Sequence, residues 1–177
     1  MSAGPGRREA LLRAIERREK AGVQLRWQLF VVCALSVLLI DQVTKAIIRG
    51  TLAPRDSREV VPGFDISHVT NDGIAFGLFP GRQTMVAVLT VVALCAIAIA
   101  LAGIVHRNGI VAIGAGLLVG GAVGNLIDRL LRGGVTDFLD PVRWPAFNVA
   151  DVGIVCGAAL IVVGLMAASE RDERHPT

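Results

Sequence analysis

Residues 109–129 read GIVAIGAGLLVGGAVGNLIDR, an apolar run that is uncharged through Ile127 and is followed by Asp128 and Arg129. Its length is close to the ~20 residues that cross a ~30 Å hydrocarbon layer as a helix. Three of its glycines recur at a spacing of four residues: Gly116, Gly120 and Gly124. That spacing lets a neighbouring helix approach closely. The stretch therefore predicts a tightly packed transmembrane helix with Asn125 and Asp128 near one end.

Three further apolar runs have a comparable length, at residues 27–48, 84–105 and 152–168. The chain has 177 residues, of which 53% are hydrophobic and 19% charged. An average soluble domain has roughly 25% charged residues, so too little polar surface remains to coat a soluble bundle. The sequence thus predicts an all-α membrane protein with four transmembrane helices, at about 27–48, 84–105, 109–128 and 150–168.

Charge distribution predicts the orientation and a three-part organisation. Residues 1–26 form an arginine-rich tail, which should stay on the cytoplasmic side. This tail is either a polar helix or disordered, and we assign it no chemistry. With four crossings, residues 170–177 form a second cytoplasmic tail, and 27–169 form the membrane domain between them. The two longer connections, 49–83 and 128–150, then lie outside.

The first outer connection contains a segment that alternates in polarity. Between residues 60 and 70, Phe64, Ile66 and His68 would share one face of a strand. We expect a small extracytoplasmic β element at about residues 55–79. Its last part, residues 74–79, is an apolar patch that could rest on lipid or on a substrate.

Four aspartates fall in the same leaflet of this arrangement: Asp41, Asp128, Asp137 and Asp151. At ~1.5 Å per residue, Asp41 stands ~21 Å above Trp27, in the outer part of the bilayer. Asp137 is expected in a loop between the ends of the last two helices. Carboxylates near hydrocarbon are costly and usually functional. This group therefore suggests acid–base chemistry on a membrane-embedded substrate.

Structural roles also account for several of these residues. Asp41 and Lys45 have the spacing of an i,i+4 ion pair, although Lys45 could instead extend to the interface. Asn148 suits the N-cap of the last helix, with Asp151 in its first turn. Asp128 and Arg129 could form ordinary end-of-helix ion pairs. None of these roles excludes a function for the same side chain.

Five short motifs in order carry a resemblance to a known family. They are Asp41-Gln42-x-x-Lys45, Asn71-x-Gly73-x-Ala75-Phe76, Gly120-Gly121-x-x-Gly124-Asn125-x-x-Asp128-Arg129, Val135-x-Asp137-Phe138 and Phe147-Asn148-x-Ala150-Asp151. Each motif is weak alone, but the set keeps its order relative to the four spans. Over residues 27–168 the chain resembles the bacterial lipoprotein signal peptidases, or signal peptidases type II.

The resemblance implies an aspartic endopeptidase of the bacterial inner membrane. It would remove the signal peptide from a prolipoprotein, cutting before a diacylglyceryl-modified cysteine. The fold it implies has four helices and an extracytoplasmic β cradle. It also implies a catalytic pair, Asp137 and Asp151, that works without metal or cofactor. The remaining matched positions are implied to support the site or bind substrate: Asp41, Lys45, Asn71, Gly121, Asn125, Asp128, Arg129, Asn148 and Ala150.

The expected partners are the lipidated precursor and membrane lipid, with no nucleic acid, and the expected state is a monomer. Two departures from the family pattern, Ile74 and Gly77, leave the shape of the loop over the substrate open. A proton-coupled transporter and a non-catalytic scaffold are the rival classes. The acids stand toward one surface rather than the midplane, which disfavours a transporter. A scaffold would tolerate carboxamides at positions 137 and 151.

Overall fold

The computed structural model describes residues 5–73, 83–103, 105 and 108–174. Within these ranges the chain forms four helices and three strands. They are α1 (Pro5–Thr51), β1 (Ser57–Val61), β2 (Phe64–Asn71), α2 (Gln83–Ala102), α3 (Gly109–Arg132), β3 (Val135–Pro141) and α4 (Val149–Arg174). The prediction of a mainly helical chain with a small β element is confirmed. The predicted apolar patch at 74–79 lies outside the described residues.

Helix α1 is much longer than the span from which it was predicted. It runs for 47 residues, about 70 Å at 1.5 Å per residue. The predicted boundary at residue 26 is therefore not a helix end, because residues 5–26 continue the same helix. Neither Pro nor a capping motif interrupts this part, and Arg13 pairs with Glu9 one turn away at 3.3 Å. Helices α3 and α4 also continue past their predicted ends, to Arg132 and Arg174.

Three of the described helices are long and apolar enough to cross a membrane, over Glu9–Thr51, Gly109–Arg132 and Val149–Ser169. The fourth, α2, contributes a shorter apolar segment, Thr84–Ala100. Large apolar side chains point outward from these helices, including Ile99 and Val155 at 79% and 69% exposure. A surface of this kind needs hydrocarbon rather than water around it. The chain is a multi-pass membrane protein.

Helix α3 is the centre of the bundle and packs most extensively on α4 and α1. The predicted close approach at its glycines is confirmed. A Cβ at Gly116 or Gly120 would collide with backbone carbonyls of α1, and one at Gly121 would collide with the carbonyl of Ala150. The helix ends at Gly133, whose left-handed conformation (φ 75°) returns an N–H to the carbonyl of Arg129. The chain is thereby turned directly into β3.

The sheet has β2 in the middle, antiparallel to both neighbours. Strand β3 comes from the second connection, where a loop was predicted. In β2, Ile66 pairs with Leu139 and Val69 pairs with Asp137. The two residues between them, Ser67 and His68, therefore oppose the single residue Phe138. This β-bulge breaks the alternation. The predicted shared face is therefore wrong beyond Ile66, because Ser67 and His68 are both buried.

The sheet is fixed to the C-terminal end of α1. Ile48 and Leu52 at that end form a buried cluster with Phe138 of β3. The ring Nδ1 of His68 lies 2.9 Å from the carbonyl oxygen of Leu52. These contacts tie β2 and β3 to the helix bundle. They place β3 next to the beginning of α4.

Candidate active site

Asp137 lies on β3 with its side chain buried at 3% exposure. The prediction of a loop position is wrong, because pairing with Val69 extends the strand through this residue. Both carboxylate oxygens accept amide hydrogen bonds. Asn71 donates to Oδ2 at 3.0 Å, and Asn148 donates to Oδ1 at 2.6 Å. Asp137 is thus held rigidly between β2 and the start of α4.

Asp151 lies in the first turn of α4, where the predicted cap is observed. The side chain of Asn148 accepts from the backbone N–H of Asp151 at 3.0 Å. In return, Oδ2 of Asp151 accepts from the backbone N–H of Asn148 at 3.1 Å. This reciprocal arrangement is a capping box. The other carboxylate oxygen of Asp151, Oδ1, accepts from the side-chain amide of Asn125 at 2.8 Å.

One cavity of about 460 Å³ brings the two acids together. Asn148 bonds to both of them, through its side-chain amide and its backbone N–H. The polar part of the lining comes from Asn71, Thr90, Asn125 and Arg129 as well as the acids. The rest is apolar and comes largely from α4 and the β3–α4 connection, including Trp144, Pro145, Phe147, Ile154 and Val155. A polar centre with an apolar wall suits a substrate that is part peptide and part lipid.

The environment of Asp137 favours its protonated form. Burial is the largest cause and raises its pKa to about 6, and the nearby charge of Asp151 acts in the same direction. The hydrogen bonds from Asn71 and Asn148, and the charge of Lys45, oppose this shift. A carboxyl with such a pKa can hold or release a proton near neutral pH. It is therefore suited to acid–base chemistry.

A buried ion cluster lies behind the cavity. The predicted Asp41–Lys45 pair is confirmed, at 2.9 Å, and both side chains are 0% exposed. Lys45 therefore does not extend to the interface. Asp128 pairs with Lys45 at 3.2 Å, and its other oxygen pairs with Arg132 at 2.7 Å and Arg49 at 3.5 Å. It is thus part of an interior network.

Arg129 does not share this network. Its guanidinium lines the cavity and donates to the carbonyls of Gly73 at 3.2 Å and Asn125 at 3.4 Å. Asp128 therefore forms the expected end-of-helix ion pair, whereas Arg129 binds backbone carbonyls. Arg129 instead presents its positive charge to the same space as the two acids.

Gly121 and Ala150 are the small residues of the site. Ala150 is 0% exposed, and its backbone N–H donates to Oδ1 of Asp41 at 2.9 Å. Gly121 faces the carbonyl of Ala150, so α3 and α4 touch immediately before Asp151. The small size of Gly121 and Ala150 allows α3 and α4 to pack this closely.

Four residues of the site were not predicted from the sequence as participants: Gln42, Arg49, Arg132 and Thr136. Arg49 and Arg132 follow Lys45 and Asp128 at a spacing of four residues, a signal that could have identified them. Gln42 donates to Asp41 and to the carbonyl of Gly124, both at 3.1 Å. Among the described residues, no group of three or more His, Cys, Asp or Glu could hold a metal ion.

The arrangement of residues 33–167 matches the family model described as signal peptidase (SPase) II. The chain belongs to the signal peptidase II family. It is 40% identical over 147 residues to the lipoprotein signal peptidase of Pelotomaculum thermopropionicum, covering 82% of this chain and 96% of that protein. The lipoprotein signal peptidase of Staphylococcus aureus is 36% identical over 151 residues, covering 82% and 93%.

A solved bacterial membrane enzyme, determined by the in meso method at 2.3 Å resolution, has a similar fold. Its TM-score is 0.71 at 32% sequence identity, over 84% of this chain and 93% of that one. The family resemblance inferred from the five motifs is therefore confirmed. As a signal peptidase II family member, the chain is a peptidase. Its multi-pass helical fold agrees with that of a membrane enzyme.

Proposed function

We propose that this chain is a membrane aspartic endopeptidase that removes the signal peptide from prolipoproteins, cutting before the diacylglyceryl-modified cysteine. Asp137 and Asp151 are its catalytic pair. The observation that carries the proposal is the single cavity lined by both acids, with Asn148 bonded to each. Family membership supports the reaction class, and the relatives' names supply the prolipoprotein substrate.

The chemistry follows from two nearby carboxylates that share one proton. Asp151 is the ionised member, because it lies at the positive end of α4. Asp137 holds the proton, consistent with its raised pKa. Asp151 takes a proton from water as the water oxygen attacks the scissile carbonyl carbon, while Asp137 protonates the carbonyl oxygen. Collapse of the tetrahedral intermediate then breaks the C–N bond. The amine leaves with the proton held by Asp151, and the hydroxyl that becomes the new carbonyl returns its proton to Asp137.

The supporting residues take distinct roles in this mechanism. Asn71 and Asn148 orient Asp137, and Asn125 orients Asp151. Arg129 binds backbone carbonyls of the substrate from the cavity wall. The acyl chains of the substrate lie along the apolar side of the cavity, against Ile154 and Val155. A single chain supplies every part of the site, so a monomer is sufficient.

The proposed topology has four membrane spans with the site at the extracytoplasmic surface. Helix α2 is 20 residues long, about 30 Å, which is enough for a fourth crossing. The arginine-rich beginning of α1 keeps the N-terminus in the cytoplasm. An even number of crossings returns the end of α4 to the same side. The sheet and both acids then face outward, where a precursor anchored in the membrane presents its cleavage point.

Cleavage of a lipidated precursor by the purified protein in detergent tests the proposal. Asp137→Asn and Asp151→Asn should each lower turnover by at least about 100-fold, because each removes one partner of the proton transfer. Asp140→Asn is the matched control, since Asp140 lies on the same strand and does not line the cavity. It should cleave at close to the wild-type rate. Near-wild-type turnover in either dyad variant would remove the proposed mechanism.

A further inference from the structure

The side chain of Lys45 is buried beneath the active site and has three partners. Its ammonium lies 2.9 Å from Oδ2 of Asp41, 3.2 Å from Oδ2 of Asp128 and 2.8 Å from Oδ1 of Asn125. An ammonium has three N–H donors and no acceptor. All three donors are therefore used inside the protein. No part of Lys45 is accessible to solvent.

The two carboxylates bound by Lys45 each hold the backbone next to a catalytic acid. Asp41 accepts from the N–H of Ala150 at 2.9 Å, and Ala150 directly precedes Asp151. Asp128 accepts from the N–H of Thr136 at 3.2 Å, and Thr136 directly precedes Asp137. The two halves of the dyad come from different elements, β3 and α4. Lys45 is the point at which their supports meet.

The third partner of Lys45 leads to the dyad through a side chain. Because an ammonium only donates, it binds the oxygen of the Asn125 amide and not the nitrogen. The NH2 group of Asn125 is consequently directed at Oδ1 of Asp151, at 2.8 Å. With the opposite orientation, Asn125 would present an oxygen to a carboxylate. Lys45 thus selects the orientation in which Asn125 favours ionised Asp151.

The charges of the cluster complement a singly ionised dyad. Three cations surround two carboxylates: Lys45, Arg49 and Arg132 around Asp41 and Asp128. The cluster is left with one positive charge in excess. A dyad that carries one proton has one negative charge. The cluster and the dyad together are neutral, and Arg129 adds one positive charge on the cavity side. These positive charges lower the cost of keeping the dyad ionised inside the protein.

We propose that Lys45 is a positioning residue for catalysis, which aligns the supports of both dyad aspartates and holds Asn125 in the orientation that favours ionised Asp151. The inference rests on the proposed function, because it presupposes the dyad. A purely structural role would be to neutralise Asp41 and Asp128. The two roles differ in whether the loss of Lys45 changes the protonation of the dyad.

The test is the pH profile of kcat/KM for Lys45→Met with a lipidated precursor. We expect a loss of at least about 10-fold, as for other residues that orient a reactive group. We also expect both limbs of the profile to move to higher pH, because the loss of a nearby positive charge favours protonated acids. The other charged groups facing the dyad remain in this variant: Asp41, Arg49, Asp128, Arg129 and Arg132. Limbs at their wild-type positions would overturn the inference.

A double-mutant cycle tests the route through Asn125. Asn125→Ala removes the amide, and with it one acceptor of Lys45, but keeps every ion pair of the cluster, and its acid limb should also move to higher pH. If Lys45 acts through this amide, Lys45→Met/Asn125→Ala should lose less than the product of the two single losses. Losses that multiply would overturn the inference. If Lys45→Met does not fold, the double variant Asp41→Asn/Lys45→Met takes its place, because it removes one charge of each sign. The limbs of its pH profile are then compared with those of Asp41→Asn alone.

The dyad variants separate the two levels of failure. Cleavage that survives in Asp137→Asn or Asp151→Asn removes the proposed function and this inference with it. Inactive dyad variants, combined with unshifted limbs in Lys45→Met, remove the role of Lys45 alone. Asp140→Asn again reports any general effect of a charge change on the sheet.

Discussion

The side-chain amide of Asn148 donates a 2.6 Å hydrogen bond to Oδ1 of Asp137. The same residue caps α4 by accepting from the backbone N–H of Asp151 at 3.0 Å. A helix cap, which stabilises many proteins, is here also the link between the two acids of the proposed dyad. The two roles use different atoms of Asn148. They can therefore be separated by substitution.

Asn148→Ser should keep the cap and lose the link, since serine is a good N-cap residue but does not extend far enough to bond Asp137. We expect cleavage to fall by about 10- to 100-fold with little change in thermal stability. Asn148→Ala should show the same loss of activity and also destabilise the fold by about 1 kcal/mol. Cleavage rates and thermal unfolding transitions in detergent measure the activity and the stability of the two variants. Equal stability of the Ser and Ala variants would contradict the separation of roles.

The pKa of Asp137 predicts how activity depends on pH. Its protonated form is the one required, and its pKa is raised to about 6. The value of kcat/KM should therefore fall as the pH rises through this region. Asn71 donates to the carboxylate and so favours the anion. Asn71→Ala should raise the pKa further and move the alkaline limb to higher pH.

The matched control for that experiment is Asn108→Ala. Asn108 caps α3 at its other end by accepting from Ile110, and it does not line the cavity. Its replacement should cost stability but leave the alkaline limb in place. A shift of the acid limb of Asn71→Ala in place of its alkaline limb would show that Asp137 is the ionised member of the pair. It would reverse the assignment of the two protonation states.

Local features of the site could be predicted from the sequence. The Asp41–Lys45 pair and the Asn148–Asp151 cap join residues within one helical turn, so their spacing alone indicates the contact. Helices α2, α3 and α4 follow from the lengths of apolar runs. The beginning of α1 could not be placed in the same way. A polar helix lacks an apolar run that would mark its first turn.

Contacts between distant residues could not be derived from spacing. Lys45 meets Asn125 across 80 residues and Asp41 meets Ala150 across 109, because helix packing alone brings them together. Strand β3 was missed for a related reason. Its sequence, VTDFLDP, does not alternate in polarity, and it becomes a strand by pairing with β2. Asp137 was recognised through a family motif and not through its predicted position.

The contact between α3 and α4 predicts the effect of a single added methyl group. A Cβ at Gly121 would collide with the carbonyl of Ala150, directly before Asp151. Gly121→Ala should therefore destabilise the protein by roughly 1–3 kcal/mol and reduce cleavage. Gly50→Ala is the matched control, because a Cβ at Gly50 meets nothing within 4 Å. Gly50→Ala should leave the free energy of unfolding unchanged or raise it by up to about 1 kcal/mol.

Thermal unfolding of both glycine variants in the same detergent measures this difference. Cleavage by Gly50→Ala should match the wild type at a temperature where all variants are folded. Cleavage by Gly121→Ala should stay reduced at that temperature, since a shifted Ala150 displaces Asp151 itself. Full activity of folded Gly121→Ala would indicate that the helices separate there without moving the catalytic acid.

The position of the cavity at the end of the apolar helices predicts a strong dependence on the substrate's lipid. Ile154 and Val155 form part of its wall on α4, the helix that continues as an apolar segment long enough to cross a membrane. A membrane-anchored precursor presents its cleavage point at the depth of the two acids. An unlipidated peptide of the same sequence must reach this depth without an anchor. Its kcat/KM should be lower by about 100-fold or more, mainly through KM.

The experiment compares precursors that differ only in the diacylglyceryl group, at equal detergent concentration. Each buried methylene contributes ~0.8 kcal/mol, so shortening the acyl chains should raise KM in steps. The value of kcat should change little, because the atoms that react stay the same. If the unlipidated precursor were cut as fast as the lipidated one, the apolar wall of the cavity would have no part in binding. Asp137 and Asp151 would then act on any extended peptide that reached them.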